Sequence, residues 1–162
     1  MKELNKSNIE EIFKKIEEYY NINVDKSIIK KYRFFIDKDK IYMFNRNFSD
    51  FLDEKYIKKY GLYIIKIEKN NRYRFSIEGV QIFGINSIKS IEIKKENIFC
   101  RSNEIIKLEQ NYENGFYIAK DNNDILCSVY IKNNILKDFI PKERKINYIF
   151  TKDKPESTCV NK

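Results

Sequence analysis

Lys142, Arg144 and Lys145 follow a proline at the end of an apolar run, in the string Ile140-Pro141-Lys142-Glu143-Arg144-Lys145. Ammonium and guanidinium groups set this close together neutralise phosphates without any proton transfer or bond making. Pro141 fixes its own φ, and an extended path after it sets Lys142 and Arg144 on one side. A solvated charged end is the competing reading, because a charge cluster is not diagnostic alone. Arg72 and Arg74 alternate with Tyr73 and Phe75, so a strand there turns the arginines to one face and the rings to the other. The rings are expected to pack inward and the arginines to stay exposed. Lys94, Lys95 and Arg101 flank a short segment further along, and Lys137 lies in the run that leads to Pro141. These cations share a surface only if folding brings the two ends of that region together.

Other chemistry is missing. The chain has no histidine, which removes the commonest general base near neutral pH and every Ser-His or Cys-His nucleophile. Its four glycines, Gly61, Gly79, Gly84 and Gly115, match neither a dinucleotide fingerprint nor a phosphate loop. Asp37, Asp39, Asp121 and Asp124 sit between strand-like runs, where carboxylates form Asx-turns more readily than catalytic pairs. Cys100, Cys127 and Cys159 are odd in number and widely spaced, so neither a disulfide framework nor a zinc site is indicated and reduced thiols are expected. Cys127 alternates with Ile125, Val129 and Ile131 and reads as a small buried hydrophobe. We expect no catalytic residue, no metal and no cofactor.

Composition sets the frame for these residues. A chain of 162 residues buries about 68–70% of its unfolded surface, enough for one good core or two small ones. Hydrophobic residues at 42% and aromatics at 15% argue against global disorder, although 35% of the chain is charged. The net charge of +8 attracts polyanions. Yet Lys, Asn and Ile abound while Ala119 is the sole alanine, a bias that A+T-rich coding produces unaided. Placement of charge therefore weighs more than its total. No apolar run approaches the roughly 20 residues of a membrane span, and MKELNKSNIEEIF lacks a signal-peptide core, so a cytoplasmic protein without membrane contact is expected.

The elements that must position the cations follow from period and punctuation. Ser7 and Glu10 fit a capping box, after which Ile9, Ile12, Phe13, Ile16, Tyr19 and Tyr20 recur at helical spacing to about Asn21. Tyr32 to Ile36 and Ile41 to Phe44 flank a turn and predict a hairpin. A short helix is expected over 49–59, stopped before Gly61. Leu62 to Lys69 and Arg72 to Phe75 predict a second hairpin across Asn70-Asn71, and Ser76 caps a brief helix ending at Gly84. From Asn86 onward the pattern turns β-rich: a strand over Ile88 to Lys94, a brief helix over Glu96 to Arg101, then a meander within Asn114 to Lys145 through the turns Asp121 to Asp124 and Asn133-Asn134, its last run emptying into Pro141. The fold class is α+β, with a small mixed domain over 1–85, a β-rich domain over 86–150 and a disordered polar tail over 151–162.

Asn134-Ile135-Leu136-Lys137 with Ile140-Pro141-Lys142-Glu143-Arg144-Lys145, preceded by Gly115-Phe116-Tyr117-Ile118 and Ile125-Leu126-Cys127, resembles the C-terminal RNA-binding region of RNA cytosine-C5 methyltransferases. That region is similar to a PUA domain, a small β pseudo-barrel. Ile41-Tyr42-Met43-Phe44, Gly61 to Lys66 and Tyr73-Arg74-Phe75-Ser76 resemble the segment that precedes the PUA fold there and in Nip-type ribosome-biogenesis factors. The likeness spans about residues 30 to 147. The methyltransferase catalytic domain is missing, and no cysteine here follows a proline, so methylation by that route is excluded. Glu96 to Arg101 replaces the glycine-rich helix entry of many PUA domains. The resemblance implies a PUA-like pseudo-barrel over 86–150 that binds structured rRNA or tRNA through Arg72, Arg74, Lys94, Lys95, Arg101, Lys137, Lys142, Arg144 and Lys145, in RNA modification or ribosome biogenesis. The alternative is a protein adaptor that uses its tyrosines to dock a separate RNA-modifying enzyme or assembly factor.

Overall fold

A computed structural model describes residues 1–49, 61–101, 105–149 and 158–160. It divides into two compact units, Met1–Lys89 and Ser90–Lys162. The fold class is α+β, a mixed first unit followed by a β-rich second one.

In the first unit five strands form an antiparallel sheet in chain order: β1 (Lys2–Glu3), β2 (Tyr32–Asp37), β3 (Lys40–Asn45), β4 (Leu62–Glu68) and β5 (Arg72–Phe75). Both predicted hairpins form. The β2–β3 turn places Lys38 at φ 57°, and the β4–β5 turn places Asn70 and Asn71 at φ 60° and 52°. Helix α1 (Lys6–Tyr20) buries Ile9, Ile12, Phe13, Ile16 and Tyr20 and ends where Asn21 adopts φ 50°. Its cap differs from the predicted box. Asn5 Oδ1 accepts the Asn8 N–H at 2.8 Å, because β1 pairs with β2 and Leu4 N–H still donates to Phe34 O. The chain is thus turned at Asn5, ahead of Ser7.

Short helices α2 (Ser27–Lys31) and α3 (Arg46–Ser49) flank the first hairpin. The helix expected over 49–59 lies, beyond Ser49, outside the described residues. Ser76 Oγ accepts the Gly79 N–H at 2.9 Å and opens α4 (Ile77–Phe83), closed by Gly84. Aromatic contacts tie these layers together: Phe13 meets Phe34 at 5.6 Å and Phe83 at 5.4 Å, and Phe75 meets Tyr20 at 5.1 Å and Phe83 at 5.7 Å. Ser87 Oγ and the Lys89 N–H both donate to Tyr20 O. That attachment holds residues 87–89 against α1, so the strand expected over 88–94 shrinks to three residues.

In the second unit the sheet order is β6 (Ser90–Glu92), β9 (Gly115–Asp121), β10 (Asp124–Lys132), β11 (Ile135–Asp138) and β8 (Ile106–Lys107). Only β6 runs parallel to its neighbour. Ile91, Tyr117, Ala119, Cys127, Val129, Ile131 and Leu136 are buried. A flat five-stranded sheet separates its edges by about 19 Å. Here residues of both edges, Ser90 to Glu92 and Ile106 to Lys107, line one cleft of about 630 Å³, so the sheet is curled. Helix α5 (Lys95–Phe99) leads into β7 (Cys100–Arg101), which pairs with β12 (Ile146–Ile149) and through it with β13 (Thr158–Val160). The tail expected to be disordered thus includes a strand at Thr158–Val160, where an edge of β12 supplies hydrogen-bond partners; the rest of it lies outside the described residues. Cys127 is a buried free thiol, whereas Cys100, expected reduced, is disulfide-bonded.

Candidate nucleic-acid interface

The nine cations fall into both units. Arg72 and Arg74 are in the first, on β5, where the register sets Arg74 opposite Lys66 and Arg72 opposite Glu68. Arg74 departs from expectation. It is only 8% exposed, and its Nε donates to Glu68 Oε1 at 2.8 Å. Lys66 Nζ approaches Glu68 at 3.7 Å and Asp39 at 3.5 Å, so this sheet face neutralises itself. A guanidinium held by a carboxylate and removed from water is a structural group, and replacing its contacts with phosphate would take from Glu68 its nearer cation. Arg72 is half-buried, and its Nε donates to Lys69 O at 3.4 Å.

The same face sets the ionisation of Tyr63. Burial pushes its phenol up to about 12, Arg74 pulls it down, and Asp39 and Glu68 push it further up. Lys40 Nζ stands 5.3 Å over the ring. The folded value lies above the ordinary value of 10.0, so the contribution to stability is complete below pH 10 and is lost as pH rises through about 12. Absorbance titration of the phenolates should show a late tyrosine near pH 12 that disappears in Tyr63→Phe.

Seven cations belong to the second unit. Lys94 and Lys95 are exposed at the start of α5, where the Lys95 N–H donates to Asp121 Oδ2 at 3.0 Å. This anchors them at the β9–β10 turn. Arg101 pairs through its backbone with Asn147; its side chain lies outside the described residues. Lys137 is exposed on β11, directly opposite Tyr130, which is itself opposite Phe116. Phe116 is five residues from Asp121 along β9, and β11 is two strands from β9. The curl shortens the path between Lys137 and the Lys94–Lys95 pair, since Lys94 and Lys107 line one cleft.

The basic string after Pro141 is not extended. Lys142–Arg144 forms one 3-10 turn, in which successive residues advance by a third of a circle, so exposed Lys142 and Arg144 do not share a side. Lys145 closes that turn and is 19% exposed at its side chain, with Nζ 2.7 Å from Asp138 Oδ2. Its charge is already matched, which removes it from the expected contact set. The structure thus presents Lys94, Lys95, Lys137, Lys142 and Arg144 to solvent in this unit. It also exposes Lys107 and Lys132, which sequence reasoning passed over because only strand register places them beside Lys137.

Among the described residues no three acidic or cysteine side chains converge as metal ligands, and no helix is long and apolar enough to cross a membrane. Residues 1–77 match the NIP7/UPF0113 pre-PUA domain family. The match falls on the segment for which the sequence resembles Nip-type factors, ahead of the curled β unit. No curated protein matches the chain.

Proposed function

We propose that this is a non-catalytic RNA-binding protein of ribosome biogenesis or RNA modification, which recognises structured rRNA or tRNA through exposed cations of Ser90–Lys162. The match of residues 1–77 to a pre-PUA domain carries the reading, since that domain is named for its place ahead of a PUA fold and a curled β unit follows it here. Lys94, Lys95, Lys137, Lys142 and Arg144 supply the phosphate contacts, with recognition by RNA shape.

Titration of labelled rRNA fragments and tRNA at several salt concentrations tests this. Five phosphate contacts give a slope of log affinity against log salt between roughly −3.5 and −4.5. Arg74→Met and Lys145→Met should leave that slope unchanged, because their charges already face Glu68 and Asp138. Affinity that ignores salt, or a slope that collapses in either control, defeats the proposal.

A further inference from the structure

Strand register assembles a group of lysines around two apolar side chains on the sheet of the second unit. Lys132 on β10, Ile135 on β11 and Lys107 on β8 form one cross-strand row, and Tyr130 with Lys137 forms the next. Directly opposed residues share a face at about 5 Å, and alternate residues along a strand share it too. The five side chains therefore stand together, within about 10 Å across the strands and about 7 Å along them. All three lysines are exposed, Ile135 is 42% exposed, and half-buried Tyr130 rests on Phe116 at 4.9 Å between ring centroids.

The charges on this face are unbalanced. Lys107, Lys132 and Lys137 form no ion pair among the described residues, whereas Lys66, Arg74 and Lys145 each face a carboxylate. Glu109, two residues beyond Lys107, and Glu92, on the cleft that Lys107 also lines, are the acids near it, and both are exposed. Like charges set this close destabilise a sheet, and a polyanion relieves the repulsion. A supported aromatic ring beside an exposed aliphatic side chain, ringed by ammonium groups, suits nucleobases as well as phosphates. Base faces are open to such a ring only where the strand is unpaired.

We propose that this face binds a single-stranded stretch of RNA, with Lys107, Lys132 and Lys137 on phosphates and Tyr130 stacked on a base. The proposal rests on the RNA-binding reading above and adds a second kind of site to it. Fluorescence anisotropy with the full chain compares a labelled uridine dodecamer with a labelled RNA hairpin of equal length. Lys107→Gln/Lys132→Gln should lower dodecamer affinity at least fivefold and flatten its salt slope by about 1.4, while hairpin affinity, held by Lys94, Lys95, Lys137, Lys142 and Arg144, falls by less than twofold. Tyr130→Leu, which keeps an apolar side chain on Phe116, should lower dodecamer affinity about tenfold with the slope unchanged. Thermal melting of both variants checks that the fold persists.

The outcomes separate the two readings. Wild-type protein that binds neither RNA sinks both. Binding of both RNAs with no loss in the double lysine variant overturns the single-strand site alone. Equal loss for dodecamer and hairpin also overturns it, since the lysines would then belong to one general phosphate surface. Charge dependence with no effect of Tyr130→Leu overturns the stacked-base site and reduces the face to a phosphate contact.

Discussion

Phe75→Ala is expected to lower the unfolding free energy by about 3–5 kcal/mol, the range for emptying a buried aromatic site. Phe75 is 1% exposed and joins Tyr20 at the end of α1 to Phe83 at the end of α4. Its removal leaves two rings from different elements without their shared neighbour, and neither can follow. Tyr20 is held by its hydroxyl on Tyr73 O at 3.2 Å, and Phe83 by its contact with Phe13. The cavity therefore cannot collapse cheaply. For a chain of this size the melting temperature should drop by about 10 °C. Phe75→Leu keeps most of the volume and should cost under about 1.5 kcal/mol. Chemical denaturation of both variants checks the pair; equal losses would mean that retained volume counts for nothing and that the ring contacts carry the whole effect.

Gly79→Ala should also destabilise, against the usual trend. In an exposed helix the change gains about 1 kcal/mol, because glycine has the greater freedom to lose. At Gly79 a Cβ would lie 2.0 Å from Ile64 O and 2.9 Å from Ile64 C, which are backbone atoms of β4, a strand paired on both sides. A side chain can rotate away from such an intrusion, but a paired strand cannot. Overpacking costs about 1–3 kcal/mol, and the rigidity of the obstacle places this case at the upper end. The net loss should be about 2 kcal/mol, read as a lower denaturation midpoint. A stabilised variant would show that α4 can lift from the sheet without penalty.

The sequence made plain whatever depends on local period and turn chemistry. The apolar stripe of α1, both hairpins of the first unit, the Ser76 cap and the three-stranded meander are all readable from neighbouring residues. What it hid depends on partners distant in the chain. β1 is two charged residues with no apolar pattern, and it exists because Lys2 and Glu3 reach Ile36 and Phe35. That pairing moved the helix cap from Ser7 to Asn5. Arg74 was read as exposed from its alternation with Phe75, yet Lys66 and Glu68 alternate in the same way on β4. The Asn70-Asn71 turn fixes the register that brings Glu68 within reach. Lys107, Lys132 and Lys137 are 30 residues apart at their extremes, and only the β10–β11–β8 pairing gathers them.

Among the described residues asparagine stands at every left-handed turn position but that of Lys38: Asn21, Asn70, Asn71, Asn122, Asn133 and Asn134 all have positive φ, and none of the described glycines does. Glycine would adopt that conformation with less strain but would bring no side chain. Asn134 shows what the amide adds. Its Oδ1 accepts the Tyr112 N–H at 3.0 Å, its Nδ2 donates to Asn111 Oδ1 at 2.6 Å, and its carbonyl accepts the Leu108 N–H at 2.9 Å. One residue thus reverses the chain and also clasps the irregular stretch after β8. A chain with four glycines need not surrender tight reversals; it can make a bend double as a latch.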